Sequence, residues 1–216
     1  MGYPYYSWPM EFGRPLSTIT PTLDGDVLCV LARNDATFTT GQLHRVLGRH
    51  SEEGIRKTLR RLVKQGVVTS DRVGNAFAYR LNRDHLAAEH IVGLARLAET
   101  LFSRLENRLA EWEIPPQYAA IFGSAARGSM SPDSDVDLLL VRPDDADEGE
   151  WDAQVSTLVV EMARWLGNDV RPLEFTVDEI DSRGPDEPVL LAALEDGVTV
   201  AGNRSWLAGR LRKGTH

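Results

Sequence analysis

Apolar positions three and four residues apart at Leu23, Val27, Val30 and Leu31 predict a helix over residues 22–33, with Thr22 as its cap. A second, short helix opens at Thr40 and closes at Gly48. A third follows Ser51, with Glu52 and Glu53 in its first turn, where the helix dipole favours acids. It turns Ile55, Leu59 and Leu62 inward and leaves Arg56, Lys57, Arg60, Arg61 and Lys64 on its other sides. The pattern then changes period: "VVTSDRVGNAFAYRL" is two β-rich runs meeting at Gly74 and Asn75, a hairpin. Helical spacing returns over residues 85–112, where Leu94, Leu97, Leu101, Leu105 and Leu109 fall three and four apart until Pro115 and Pro116 end the run. As one helix this stretch would extend roughly 42 Å.

Beyond residue 115 short apolar runs alternate with helical ones. The order is strand "YAAIF", a loop and short helix, strand "DVDLLLV", a helix from 149 to 167, strand "VRPLEFTV", a helix from 186 to 195, and strand "VTVAG". The fold class is α+β, in three parts. Residues 1–84 have the element order of a winged helix-turn-helix, residues 85–114 form a long connecting helix, and residues 115–216 form an α/β domain with a mixed sheet.

Charge separates the parts further. The chain carries a net charge of −8, yet residues 40–83 hold ten basic against three acidic side chains. A basic third helix in this element order points to duplex DNA, with Arg56, Lys57, Arg60 and Arg61 in the major groove and Arg72 and Arg80 of the wing on phosphates. The same fold used only for protein contacts is the alternative. The leucine spacing of the long helix points to a homodimer, with packing on its own domain as the alternative.

Other classes fall away. The single cysteine, Cys29, lies in the apolar run "VLCVLA" and reads as a buried thiol, so no disulfide framework forms. No stretch reaches the ~20 apolar residues of a membrane span, and "MGYPYYSWPM" lacks the features of a signal peptide, so the expected location is the cytoplasm, with that arm a loosely ordered tail. The five histidines show no metal-ligand spacing with each other or with Cys29, and neither a Gly-x-Ser-x-Gly elbow nor a Gly-x-Gly-x-x-Gly fingerprint is present.

The chemistry concentrates in "GSAARGSMSPDSDVDLLLV", residues 123–141. Gly123 and Ser124 turn the chain from a strand into a short helix holding Arg127, a turn suited to phosphate. Ser129 stands where a P-loop needs Lys, which excludes that motif. Asp133, Asp135 and Asp137 gather at the start of the next strand, although Asp is depleted in strands. Asp135 and Asp137 share one face while Val136 and Leu138 take the other, and such a carboxylate pair suits Mg²⁺, which would offset the repulsion.

The Gly-Ser pair, ten residues and then Asp-x-Asp resemble the nucleotidyltransferases of the DNA polymerase β superfamily, in particular the minimal nucleotidyltransferases of bacteria and archaea, over residues 115–201. The resemblance implies that Gly123, Ser124 and Arg127 hold the nucleotide, that Asp135 and Asp137 bind Mg²⁺ or Mn²⁺, and that a third carboxylate comes from a later strand. Glu174 is the candidate for that third acid and for activating the acceptor hydroxyl; Asp169 at the strand's edge is second, and Arg171 is a possible occupant of the acid's place. The implied reaction moves a nucleoside monophosphate, AMP from ATP, to a hydroxyl of a protein, tRNA or small molecule, and some relatives act as antitoxins that modify a toxin. The rival reading is a transcription regulator whose nucleotidyltransferase domain only senses nucleotide.

Overall fold

The computed structural model describes residues 13–130 and 134–213, so Asp133 and the aromatic N-terminal arm lie outside the described residues. The chain divides between Ala98 and Glu99 into two compact units.

The first unit has the expected order. Helix α1 (Leu23–Arg33), a short strand β1 (Phe38–Thr39), helices α2 (Thr40–Leu47) and α3 (Glu52–Lys64), and the hairpin of β2 (Val68–Val73) and β3 (Ala76–Leu81) form a three-stranded sheet in the order β1-β3-β2. Each boundary has a local cause. Thr39 and Gln42 form a capping box on α2, Gly48 ends it at φ 46°, and the Ser51 hydroxyl accepts the Gly54 N–H at 3.1 Å to start α3. Thr22 occupies the cap position of α1, but its hydroxyl bonds Thr20 and Asp24 and caps nothing. The wing closes through Gly74 at φ 60° followed by Asn75, the two-residue turn that matches strand twist when glycine comes first. Ile55, Leu59 and Leu62 lie in one core with Val27, Leu31 and the buried Cys29.

The 85–112 stretch is two helices. Helix α4 (Ala88–Ala95) buries Ala88 and Ala95 in the first unit's core, and helix α5 (Leu97–Ala110) buries Leu101, Leu105 and Leu109. They meet at Arg96, whose backbone leaves the helical region at φ −106°, ψ 22°. The leucine stripe is therefore shared between the cores of the two units.

In the second unit, strands β4 (Tyr118–Phe122), β5 (Val136–Arg142), β6 (Val170–Thr176) and β7 (Val198–Ala201) form a mixed sheet in the order β6-β5-β4-β7, with only the β5–β6 pair parallel. A turn of helix, α6 (Gly123–Ala126), follows β4, and the long helix α7 (Glu148–Leu166) links β5 to β6. Helices α8 (Val177–Arg183), α9 (Pro188–Asp196) and α10 (Arg204–Lys213) complete the unit; α8 begins where the sequence pattern continues a strand, because Thr176 and Glu179 form a capping box there. One sheet face carries Tyr118, Ala120, Phe122, Leu139, Val141 and Phe175 against Ile180, Leu190 and Leu207. Arg108 of α5 pairs with Glu161 of α7 at 2.7 Å, and Trp112 meets Trp151 edge to face at 5.5 Å.

One buried charge in the first unit is invisible to the sequence pattern. Asp26 on α1 is almost wholly buried, and its carboxylate accepts from Arg14 at 2.9 and 3.0 Å and from Arg49 at 3.0 Å, with His50 at 2.8 Å. Burial pushes this carboxyl up, but the hydrogen bonds from Arg14, His50 and Arg49 together outweigh it and hold Asp26 below the ordinary carboxylate range. A depressed carboxyl adds stability above its unfolded pKa, about 3.9, and loses it as pH falls through the folded value. Asp26→Asn should cost the first unit about 3 kcal/mol at pH 7, and the difference from wild type should shrink below pH 4. Hydrogen exchange of α1 and α3 amides in the full chain measures this; unchanged protection at pH 7 would dismiss the ion cluster as a stabilising element.

Candidate functional site

The basic helix does not present all its cations alike. Lys57, Arg60 and Lys64 are exposed on α3. Arg56 bridges Glu53 at 2.8 Å and Glu52 at 3.1 Å on its own helix. Arg61 pairs with Asp24 of α1 while remaining exposed on the same side of α3 as Lys57 and Lys64. On the wing, the Arg72 Nε donates to the Gly74 carbonyl and the Arg80 Nε to the Thr69 hydroxyl, both at 3.2 Å. Arg56 and Arg60 line a cleft of about 610 Å³ together with Val63, Ser70 and Phe77, so helix and wing enclose one basic, partly apolar groove.

In the second unit the two aspartates stand at the head of β5, Asp135 just before it and Asp137 inside it, both half-buried. Asp137 sits opposite Phe122 on β4, where the chain turns at Gly123. Gly123 has φ 70°, and a Cβ there would lie 2.7 Å from the Asp137 Oδ2, so this position requires glycine both for its backbone and for the approach of the carboxylate. Ser124 is half-buried in the same turn, and its carbonyl accepts the Ser129 N–H at 3.0 Å. Arg127 reaches Asp196 of α9 at 2.9 Å. Burial raises the Asp137 carboxyl above the ordinary range; Arg171 pulls it back, Asp135 pushes it up, and Arg127 pulls it back again.

Glu174 does not join this pair. The β5–β6 register sets Asp137 beside Arg171 and Leu140 beside Glu174, so Asp137 and Arg171 share one face of the sheet and Leu140 and Glu174 the other. Glu174 therefore lies on the face opposite Asp137, where its carboxylate accepts the Trp151 indole N–H of α7 at 2.6 Å. Asp169 is exposed just ahead of β6, with its carbonyl accepting the Val136 N–H at 2.9 Å. The side chain that does reach the pair is Arg171, 3.7 Å from the Asp135 carboxylate. Among the described residues, no three His, Cys, Asp or Glu side chains gather closely enough to hold a metal. Asp135 and Asp137 fit one divalent cation completed by water and phosphate oxygens, and among the described residues no third acid joins them for a second. The register that decides this is invisible to sequence alternation, which gives the face of a residue within its own strand only.

Residues 103–182, which contain the Gly-Ser turn and the Asp-x-Asp strand head, match the family described as "Nucleotidyltransferase domain". Residues 22–108 match the family described as "Penicillinase repressor". The chain thus joins a repressor-type winged helix to a nucleotidyltransferase. No curated protein sequence matches it. Among solved structures, one of a toxin-antitoxin with AMP-PNP is 18% identical, covering 52% of this chain and 82% of that chain, with a TM-score of 0.39. Two mutant structures of the toxin-antitoxin MntA-HpeT are 15% and 18% identical, covering 52% and 54% of this chain and 82% and 81% of theirs, with TM-scores of 0.38 and 0.37.

An acid whose folded pKa is raised costs stability as it ionises, so Asp137 weakens the fold as pH climbs from about 4 through its folded value. Asp137→Asn should melt no lower than wild type at pH 4, and its advantage should grow toward pH 7 in metal-free buffer. Thermal melts of the full chain across that range provide the check. A variant that melts lower at pH 7 would mean that Asp137 holds the fold together.

Proposed function

We propose that the second unit transfers AMP from ATP to a hydroxyl of an acceptor in the presence of Mg²⁺ or Mn²⁺, and that the first unit binds duplex DNA, so that one chain couples nucleotide chemistry to a promoter. The observation that carries this reading is the close approach of the Gly123 turn to the Asp137 carboxylate, which sets a backbone turn suited to phosphate against an acid pair. Asp135 and Asp137 would hold the metal, whose chemistry is to neutralise charge on the phosphates and position them. The turn at Gly123 and Ser124 would let the triphosphate approach the backbone, and Arg127, exposed at the C-terminal end of α6, would exchange Asp196 for a phosphate oxygen. The acceptor oxygen bonds to the α-phosphorus as the bond to pyrophosphate breaks. Glu174 has no part in this step, because its carboxylate faces α7.

A second reading has its own support. Arg171 beside Asp135, in place of an acid, favours a domain that binds nucleotide and signals to the DNA-binding unit without efficient transfer. Incubating the full chain with α-labelled ATP, Mg²⁺ and host lysate separates the two. Transfer predicts a labelled acceptor that disappears with Asp135→Asn and Asp137→Asn together, whereas ATP-dependent changes in DNA affinity without label support the sensor.

For the DNA face, surface ion pairs of the Arg56 kind contribute about 0–1 kcal/mol, so phosphates readily displace the glutamates. Lys57→Ala with Arg60→Ala should weaken binding of the full chain to genomic fragments and lower the slope of log affinity against log salt by ~0.9 for each phosphate that these side chains neutralise. Arg61→Ala should change that slope least, since Arg61 is engaged by Asp24. Equal effects at all three positions would show that α3 does not enter DNA in this orientation.

A further inference from the structure

We propose that Arg171 is itself a phosphate-binding member of the nucleotide site: a fixed cation that compensates the Asp135–Asp137 pair and takes triphosphate oxygens directly, so that the site works with one divalent ion where a third carboxylate would have called for two. The proposal rests on the nucleotide reading of this site.

Three observations carry it. The parallel register puts Arg171 next to Asp137 on the same sheet face, and its guanidinium lies 3.7 Å from Asp135, so one cation faces both acids. The acids need such a partner, because two carboxylates two residues apart at one strand head repel each other. Arg171 nevertheless stays open: its side chain is 65% exposed and Asp135 45%, and a single 3.7 Å approach engages little of a guanidinium with five N–H donors. A planar fork that is loosely held beside a glycine turn matches the bidentate geometry of phosphate, and unlike a metal ion it cannot be removed by chelation.

Arg171 and a third acid therefore give opposite signatures. An acid at this position would add a ligand for a second cation and repel uncomplexed triphosphate. Arginine attracts triphosphate even without metal and disfavours a second cation through like charge. Arg171 also differs from Arg127, which follows α6 and has Asp196 of α9 as its partner at 2.9 Å.

The test uses the full chain and α,β-methylene-ATP, which cannot release pyrophosphate. Free Mn²⁺, followed by its electron paramagnetic resonance signal at saturating analogue, should report one bound ion per wild-type chain and two for Arg171→Asp. Calorimetry in EDTA should show analogue binding to wild type, weakened about ten- to hundredfold in Arg171→Ala, the range expected for loss of a charged hydrogen bond to phosphate. Arg171→Lys should fall between them, because it keeps the charge and loses the fork. Melting curves confirm that each variant is folded, and Arg171→Ala, which removes an exposed side chain without adding an acid, carries the test if Arg171→Asp does not fold. Two Mn²⁺ ions per wild-type chain, or equal metal-free affinity in wild type and Arg171→Ala, would overturn the proposal while leaving the nucleotide site standing. Failure of wild type and Arg171→Asp alike to bind the analogue, with or without Mn²⁺, would overturn the nucleotide reading and this proposal with it.

Discussion

The parallel register of β6 on β5 governs the second unit, because it decides which side chains can meet the two aspartates. Residues Leu138 to Val141 are fully buried, so the strand offers polar chemistry only at its ends, Asp137 at the first and Arg142 at the last. A parallel strand covered on both faces reads as a continuous apolar run, and a functional group must then sit at its end. At the Asp137 end β4 contributes the Gly123 turn and β6 contributes Arg171, while the same register turns Glu174 onto the face covered by α7. A slip of one residue would exchange Arg171 for its neighbour and rebuild the site with different chemistry. Charge compensation, the requirement raised by two adjacent acids, is met within the protein by an arginine before any metal binds.

A second carboxylate governs the first unit in a similar way. Asp26 gathers Arg14, Arg49 and His50 from separate segments, and Arg49 and His50 form the turn between α2 and α3. The orientation of the basic helix thus depends on a buried ion cluster as well as on Ile55, Leu59 and Leu62. Once α3 is placed, its cations divide: Arg61 faces Asp24, Arg56 leans on its own glutamates, and Lys57 and Arg60 remain outward. A strongly basic sequence segment therefore presents only part of its charge on one recognition surface.

The break at Arg96 shows two cores competing for one helical repeat. The spacing of Leu94, Leu97, Leu101, Leu105 and Leu109 is regular enough for a single helix, and no proline interrupts it. Yet Ala88 and Ala95 belong to one core, and Leu101, Leu105 and Leu109 are buried beyond the division. Helix propensity alone is too weak to keep Arg96 helical where burial passes from one core to the other.

The sequence by itself determined most of the features that depend on neighbours along the chain: the opening of α2 at Thr40, the cap at Ser51, the inward faces of α1 and α3, the Gly74 hairpin, the order of the two units, and the Gly-Ser turn with its two aspartates. Those signals are local, because hydrogen-bonding caps, turn dihedrals and hydrophobic periodicity act over a few residues. Only the tertiary structure decided the partners of residues far apart: Arg171 with Asp135, Glu174 with Trp151, Asp26 with Arg49 and His50, Asp24 with Arg61. Side-chain alternation assigns a residue to one of two faces of its own strand but carries no phase between strands. The phase comes from strand pairing, and pairing is settled by how the whole unit buries its apolar surface.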